Sequence, residues 1–192
     1  MKADAACAGS VGPQGQPEEI MYTKIQGLAL SGVMVVGLSL ALAPPASAAT
    51  NQISGGAFYD TTGAHCEGPP SGYEDFISYP PLVMSGDLDG CWYTKVETAK
   101  DNGSPSGVYM ESGEEVFVGS LNDGAEGTFA TAYRFESQWD PDVTGAELHG
   151  RCQHPLIEGS GTGGFAGATG RLDFKDEVAT GLYFYRGHIK LG

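Results

Sequence analysis

Positive charge is scarce in this 192-residue chain: 10 Lys and Arg stand against 24 Asp and Glu, a formal net charge of −14. Such a surface repels phosphate backbones, so nucleic-acid binding is not expected. Long apolar runs are few as well. Leu28–Ala43 is 16 residues without a charge, short of the ~20 that a membrane-spanning helix needs, and nothing later resembles a second span. Several chemical signatures are missing. There is no G-x-S-x-G elbow, no H-E-x-x-H pair and no C-x2-C spacing, which removes the usual sequence grounds for an α/β-hydrolase, a zincin or a structural zinc site. No stretch after residue 48 sustains a 3.6-residue amphipathic period over three turns, so helices are not expected to build the core.

What is present begins with a leader. Met21-Tyr22-Thr23-Lys24, the apolar run, Pro44-Pro45 and then Ala46-Ser47-Ala48 form the cationic start, apolar stretch and small-x-small site of a secretory signal. Residues 1–48 are read as this signal region, with translation starting at Met21 and cleavage near Ala48. The mature chain is then expected to be secreted or held in the cell envelope, with no stable membrane span. Three of the 24 acids and two of the 10 cations precede residue 49, so the remainder carries a formal charge of −13. Of the four cysteines, Cys66, Cys91 and Cys152 follow the leader. Outside the cytoplasm this odd count predicts one disulfide and one leftover thiol. The pairing is left open by sequence; Cys66–Cys91 is favoured, because it would pin an N-terminal segment to the first long strand.

Residues 49–81, rich in Gly, Pro, Ser and Asp, read as an extended arm, and 82–192 as the folded domain. From Leu82 a period-2 pattern sets Leu82, Met84, Leu88, Trp92 and Val96 against Ser85, Asp87, Asp89, Lys95 and Glu97, as a half-buried strand requires. Gly86 and Gly90 suggest a bend within it. Asp101–Pro105 is a turn cluster, and Ser112-Gly113 reads as a tight hairpin between strands 107–111 and 114–121. Thr128–Trp139 is the clearest strand, with Phe129, Tyr133, Phe135 and Trp139 on one face and Arg134 and Glu136 on the other. Strands at 147–157, 171–178 and 182–191 follow. Parallel crossovers need a dozen or more residues, so the expected fold is all-β and antiparallel, a barrel rather than a sandwich because closure removes exposed edges.

Gly159–Gly164 satisfies G-x-G-x-x-G formally. It lacks the following helix that a dinucleotide fingerprint needs, so no nucleotide or other cofactor is expected. His149 and His154 stand five residues apart, on opposite faces of a strand, and cannot chelate one ion together. With His188 they read as hydrogen-bonded surface or rim residues, and no metal is expected.

The C-terminal third carries a resemblance. Gly163-Gly164-Phe165-Ala166-Gly167-Ala168-Thr169-Gly170-Arg171, followed by Leu182-Tyr183-Phe184-Tyr185-Arg186-Gly187-His188-Ile189, resembles the allene oxide cyclases and, more loosely, the dirigent proteins. It spans residues 159–191. It implies a calycin-like barrel of about eight strands with a largely apolar cavity, often assembled as a trimer, and a role in guiding cyclisation or coupling of a reactive hydrophobic molecule. Gly163, Phe165, Gly167 and Gly170 would be structural. The acidic N-terminal motif of the plant cyclases is not recognisable in 49–81, so no catalytic residue is carried over.

Three functional readings follow: an isomerase of cyclase or dirigent type, a carrier for an apolar small molecule, and a filled barrel acting through its surface. The aromatic faces nominate Trp92, Phe129, Tyr133, Phe135, Tyr183 and Tyr185 as cavity lining, with tyrosine hydroxyls orienting one polar group. An inward ionisable group among Glu67, Glu115, Glu136, Arg134, Arg151 and Arg186 would favour the enzyme. A wholly apolar lining would favour the carrier.

Overall fold

A computed structural model of the chain describes residues 50–101, 107–140, 147–177 and 179–192. The leader and most of the turn cluster after Asp101 lie outside the described residues. Eight strands, β1 (Thr50–Tyr59), β2 (Leu82–Gly86), β3 (Leu88–Asp101), β4 (Val108–Leu121), β5 (Gly127–Trp139), β6 (Glu147–Pro155), β7 (Thr169–Glu177) and β8 (Leu182–Lys190), pair in sequence order. β1 also pairs with β8, closing the barrel, and every pairing is antiparallel. The expected all-β antiparallel barrel of about eight strands is the fold observed.

Three local readings are corrected. The arm at 49–81 contains β1, a full barrel strand. Its inward positions include Gly55 and Ala57, too small to print an apolar alternation. They are small for a reason: a Cβ on Gly55 would collide with the Tyr185 ring and the Ser85 carbonyl. The single strand expected from Leu82 to Val96 is a hairpin, β2 turning at Gly86-Asp87 into β3, with Met84 opposite Gly90. Both halves keep Leu82, Met84, Leu88 and Trp92 inward. The hairpin expected at Ser112-Gly113 is instead the middle of the unbroken β4. Gly113 is required there because a Cβ would sit 2.0 Å from the Lys95 carbonyl oxygen and 2.9 Å from the Tyr133 ring.

Residues 60–81 return from β1 to β2 along the outer wall. Asp60 anchors the start of the loop, its carboxylate accepting from the backbone of Thr62, Ala64, His65 and Cys66 and from the Thr62 hydroxyl. These donors, the His65 amide foremost, hold its pKa well below the usual carboxylate range. Phe76 and Cys66 then pack with Tyr93 and Val116 outside β3 and β4, a second small core. The Cys66–Cys91 disulfide ties loop to strand. Cys152 lies outside the disulfide, 2% exposed on the inward face of β6. Alkylation without reductant is therefore expected to add one label per chain in denaturant and far less in native buffer. Three labels on intact-mass measurement would mean that no disulfide forms.

Candidate functional site

The lumen has two halves of different chemistry. At the end where β5 begins, Gly163–Phe165 makes a single 3₁₀ turn that drives the Phe165 ring edge-on against Phe117 and Phe129. Trp92 extends from β3 across the interior and meets Phe117, Phe129, His154 and Phe174. Leu88, Leu172 and Ile189 complete this apolar half. Gly167 and Gly170 sit in the turn and at the start of β7, so the glycine motif forms the plug and its exit.

Toward the opposite end the inward positions become ionisable. Following β4 from Phe117, the next inward residue is Glu115, 4% exposed, and Glu111, 3% exposed, lies one full side-chain repeat beyond Gly113. The Glu115 carboxylate accepts from Thr94 Oγ1 at 3.1 Å and Thr131 Oγ1 at 3.4 Å, and from His154 Nδ1 at 2.5 Å. This fixes the His154 ring, stacked beneath Tyr133 and packed on Phe174. Glu111 is gripped by three phenols: Tyr133 donates at 2.5 Å, Tyr109 at 2.6 Å and Tyr79 at 2.7 Å. Tyr79 comes from the 60–81 loop, so that loop supplies a side chain to the interior as well as covering the outside. Burial, followed by the neighbouring Glu111 carboxylate, pushes the Tyr79 and Tyr133 hydroxyls far above the ordinary phenol range. They remain donors at any working pH.

A second carboxyl pair stands where β6 and β7 part. β6 is bonded to β5 from Glu147 to Gln153, but to β7 only from Cys152 to Pro155. Beyond that point Glu147 and Asp176 turn inward, 7% and 6% exposed. Burial, then the Asp176 carboxyl, pushes Glu147 up to about 8. Neither carboxyl meets a donor among the described residues. Burial and the neighbouring acid therefore favour the protonated form of Glu147.

All six nominated residues are buried inside the barrel, but they differ in what they touch. Trp92 and Phe129 belong to the apolar packing, and Phe135 borders Tyr109. The Tyr185 hydroxyl accepts from Leu88 N and donates to Ser85 O, tying β8 to the β2–β3 turn. Burial raises its pKa to about 12. Tyr133 bonds an acid directly, and Tyr183 packs edge-on against Tyr59. Of the ionisable candidates, Glu115 is inside while Glu67, Arg134, Glu136, Arg151 and Arg186 face outward. His154, expected at a surface or rim, is corrected to the interior at 1% exposure; His149 and His188 are exposed. Sequence reasoning missed Glu111, Glu147, Asp176, Tyr79 and Tyr109. Among the described residues no group of three or more His, Cys, Asp or Glu could hold a metal, and no helix is long and apolar enough to cross a membrane.

No protein-family model matches this chain, and no curated protein or solved structure matches it significantly.

Proposed function

We propose that this is an exported barrel enzyme that takes one small, largely apolar molecule at the tyrosine-bearing end of the lumen and moves a proton within it. The reaction class is isomerisation, a guided cyclisation as in the allene oxide cyclases that the C-terminal third resembles. The observation that carries the reading is the Glu115–His154 pair. A buried ionised or ionisable pair costs several kcal/mol of desolvation that a pair of apolar residues would not, and such costs concentrate where chemistry is done. Glu115 orients the ring and stabilises its protonated form, and His154 serves as general base and then acid. The Tyr133 hydroxyl, held by its hydrogen bond to Glu111, fixes the ring that stacks on His154 and so helps to position the imidazole. The aromatic walls supply positioning, which alone lowers a barrier by several kcal/mol for an activated substrate.

A neutral fluorescent naphthylamine probe is expected to bind the purified protein at micromolar concentration and to shift the His154 ring resonances in NMR spectra. Tyr133→Trp, which crowds the same space, is expected to weaken binding. Binding that leaves His154 unmoved would reduce the protein to a carrier. No binding at all would leave a filled barrel.

A further inference from the structure

The cations of this acidic chain are not spread over it. Of the eight Lys and Arg after residue 48, six line two outer grooves that share Arg151 and Gln153. One, of about 650 Å³ over β6, β7 and β8, is bordered by Arg151, Arg171, Lys175 and Arg186. The other, of about 450 Å³ over β3 to β6, is bordered by Lys100, Arg134 and Arg151.

The strand register shows how they join. Lys100, Met110, Glu136 and Arg151 are successive cross-strand neighbours, and beside them run Thr98, Ser112, Arg134, Gln153, Asp173 and Arg186. The first row runs from β3 to β6, and the second continues to β8, five strand spacings or roughly 24 Å. Two of the cations are matched: Arg171 with Asp173 at 2.5 Å, and Arg151 with Glu136 at 3.6 Å across largely exposed side chains. Lys100, Arg134, Lys175 and Arg186 form no ion pair among the described residues. Met110 and Phe184, 43% and 50% exposed, offer apolar faces along the same path.

We infer that this belt is a binding surface for an acidic polysaccharide, a chain bearing one carboxylate or sulfate per ring or per few rings. Three features select that partner. The belt is positive on a molecule that is otherwise strongly negative, and at physiological salt a ligand senses charge within only ~8 Å, so the belt governs what docks there. Its Arg forks match carboxylate and sulfate oxygens in pairs. Between the cations lie Glu136, Asp173, Thr98, Ser112 and Gln153, which accept from or donate to sugar hydroxyls. A single-stranded nucleic acid would need a series of stacking rings, and the belt offers one exposed aromatic, Phe184. The site is on the outer wall and stands whether or not the interior is catalytic.

The test is calorimetric titration of the protein with an alginate octasaccharide, a neutral dextran of equal length and a short oligothymidylate. Alginate is expected to bind, more weakly as salt rises, and dextran and oligothymidylate not to. The exposed double variant Arg151→Gln/Arg186→Gln is expected to weaken alginate at least about tenfold, the loss of two charge-assisted contacts. Lys95→Gln, whose cation is tied to Asp75 off the belt, is expected to leave it unchanged. The inference is overturned if alginate does not bind, if dextran binds equally, if oligothymidylate binds more tightly, or if Lys95→Gln costs as much as the double variant.

Discussion

Replacing Trp92 by alanine is expected to remove about 3–5 kcal/mol of folding stability, the range for emptying a large aromatic position in a core. In a domain of this size that is a fall in Tm on the order of 10 °C. The reason is placement. The indole leaves β3 and ends among side chains of β4, β5, β6 and β7, so its loss opens a void that neighbours anchored on four other strands cannot close together. Trp92→Phe should cost far less, because Nε1 is buried without an acceptor among the described residues and the phenyl ring carries no polar atom to leave unsatisfied. Thermal and urea unfolding check both. A Trp92→Ala protein within about 1 kcal/mol of the parent would mean that the ring does not fill the lumen.

The second large effect concerns pH. Glu147 keeps its proton in the folded chain up to about 8, whereas the same carboxyl ionises near 4.5 when unconstrained. Between those values the folded state binds one more proton than the unfolded state, so stability falls as pH rises through this window and is flat on either side. With the moderate effective dielectric that buried sites show, the fall across the window is on the order of 2 kcal/mol. Glu147→Gln removes the titrating group and gives Asp176 an amide donor. The variant is expected to match the parent near pH 5 and to exceed its Tm at pH 8.5. Parallel stability–pH curves for the two proteins would refute a raised Glu147 pKa in the folded chain.

The barrel was legible wherever side chains alternate in size. Phe129, Tyr133 and Phe135 against Arg134 and Glu136 mark β5 without ambiguity, and the aromatic rhythm of β8 does the same. It was not legible in β1, where Gly55 and Ala57 hold inward positions because Tyr185 needs the room. The candidate site was half legible for a related reason. Glu111, Gly113, Glu115 and Phe117 keep strict alternation and share one face, but breaking the strand at Ser112-Gly113 hides that face. Two acids and a glycine there resemble a solvent-exposed turn until Tyr133 is known to occupy the space over Gly113. Glu147 and Asp176 carry no such signal, since they lie far apart in sequence and come together only through the pairing of β6 with β7. The charge belt was equally hidden. A count of −13 describes the chain correctly but conceals how strand register gathers its few cations.

Closure between the first strand and the last has a kinetic side. β1 pairs with residues 183–190, so the earliest part of the domain waits for nearly the whole chain before its second hydrogen-bonding edge is met. Until then both β1 and the growing front of the sheet present open edges, and the search that ends the wait is among the longest loop closures the domain allows. The Cys66–Cys91 bond, spanning 25 residues, can form well before that moment. It would hold β1, the covering loop and β3 as one hairpin-sized unit, shortening the remaining search to a single docking of β8.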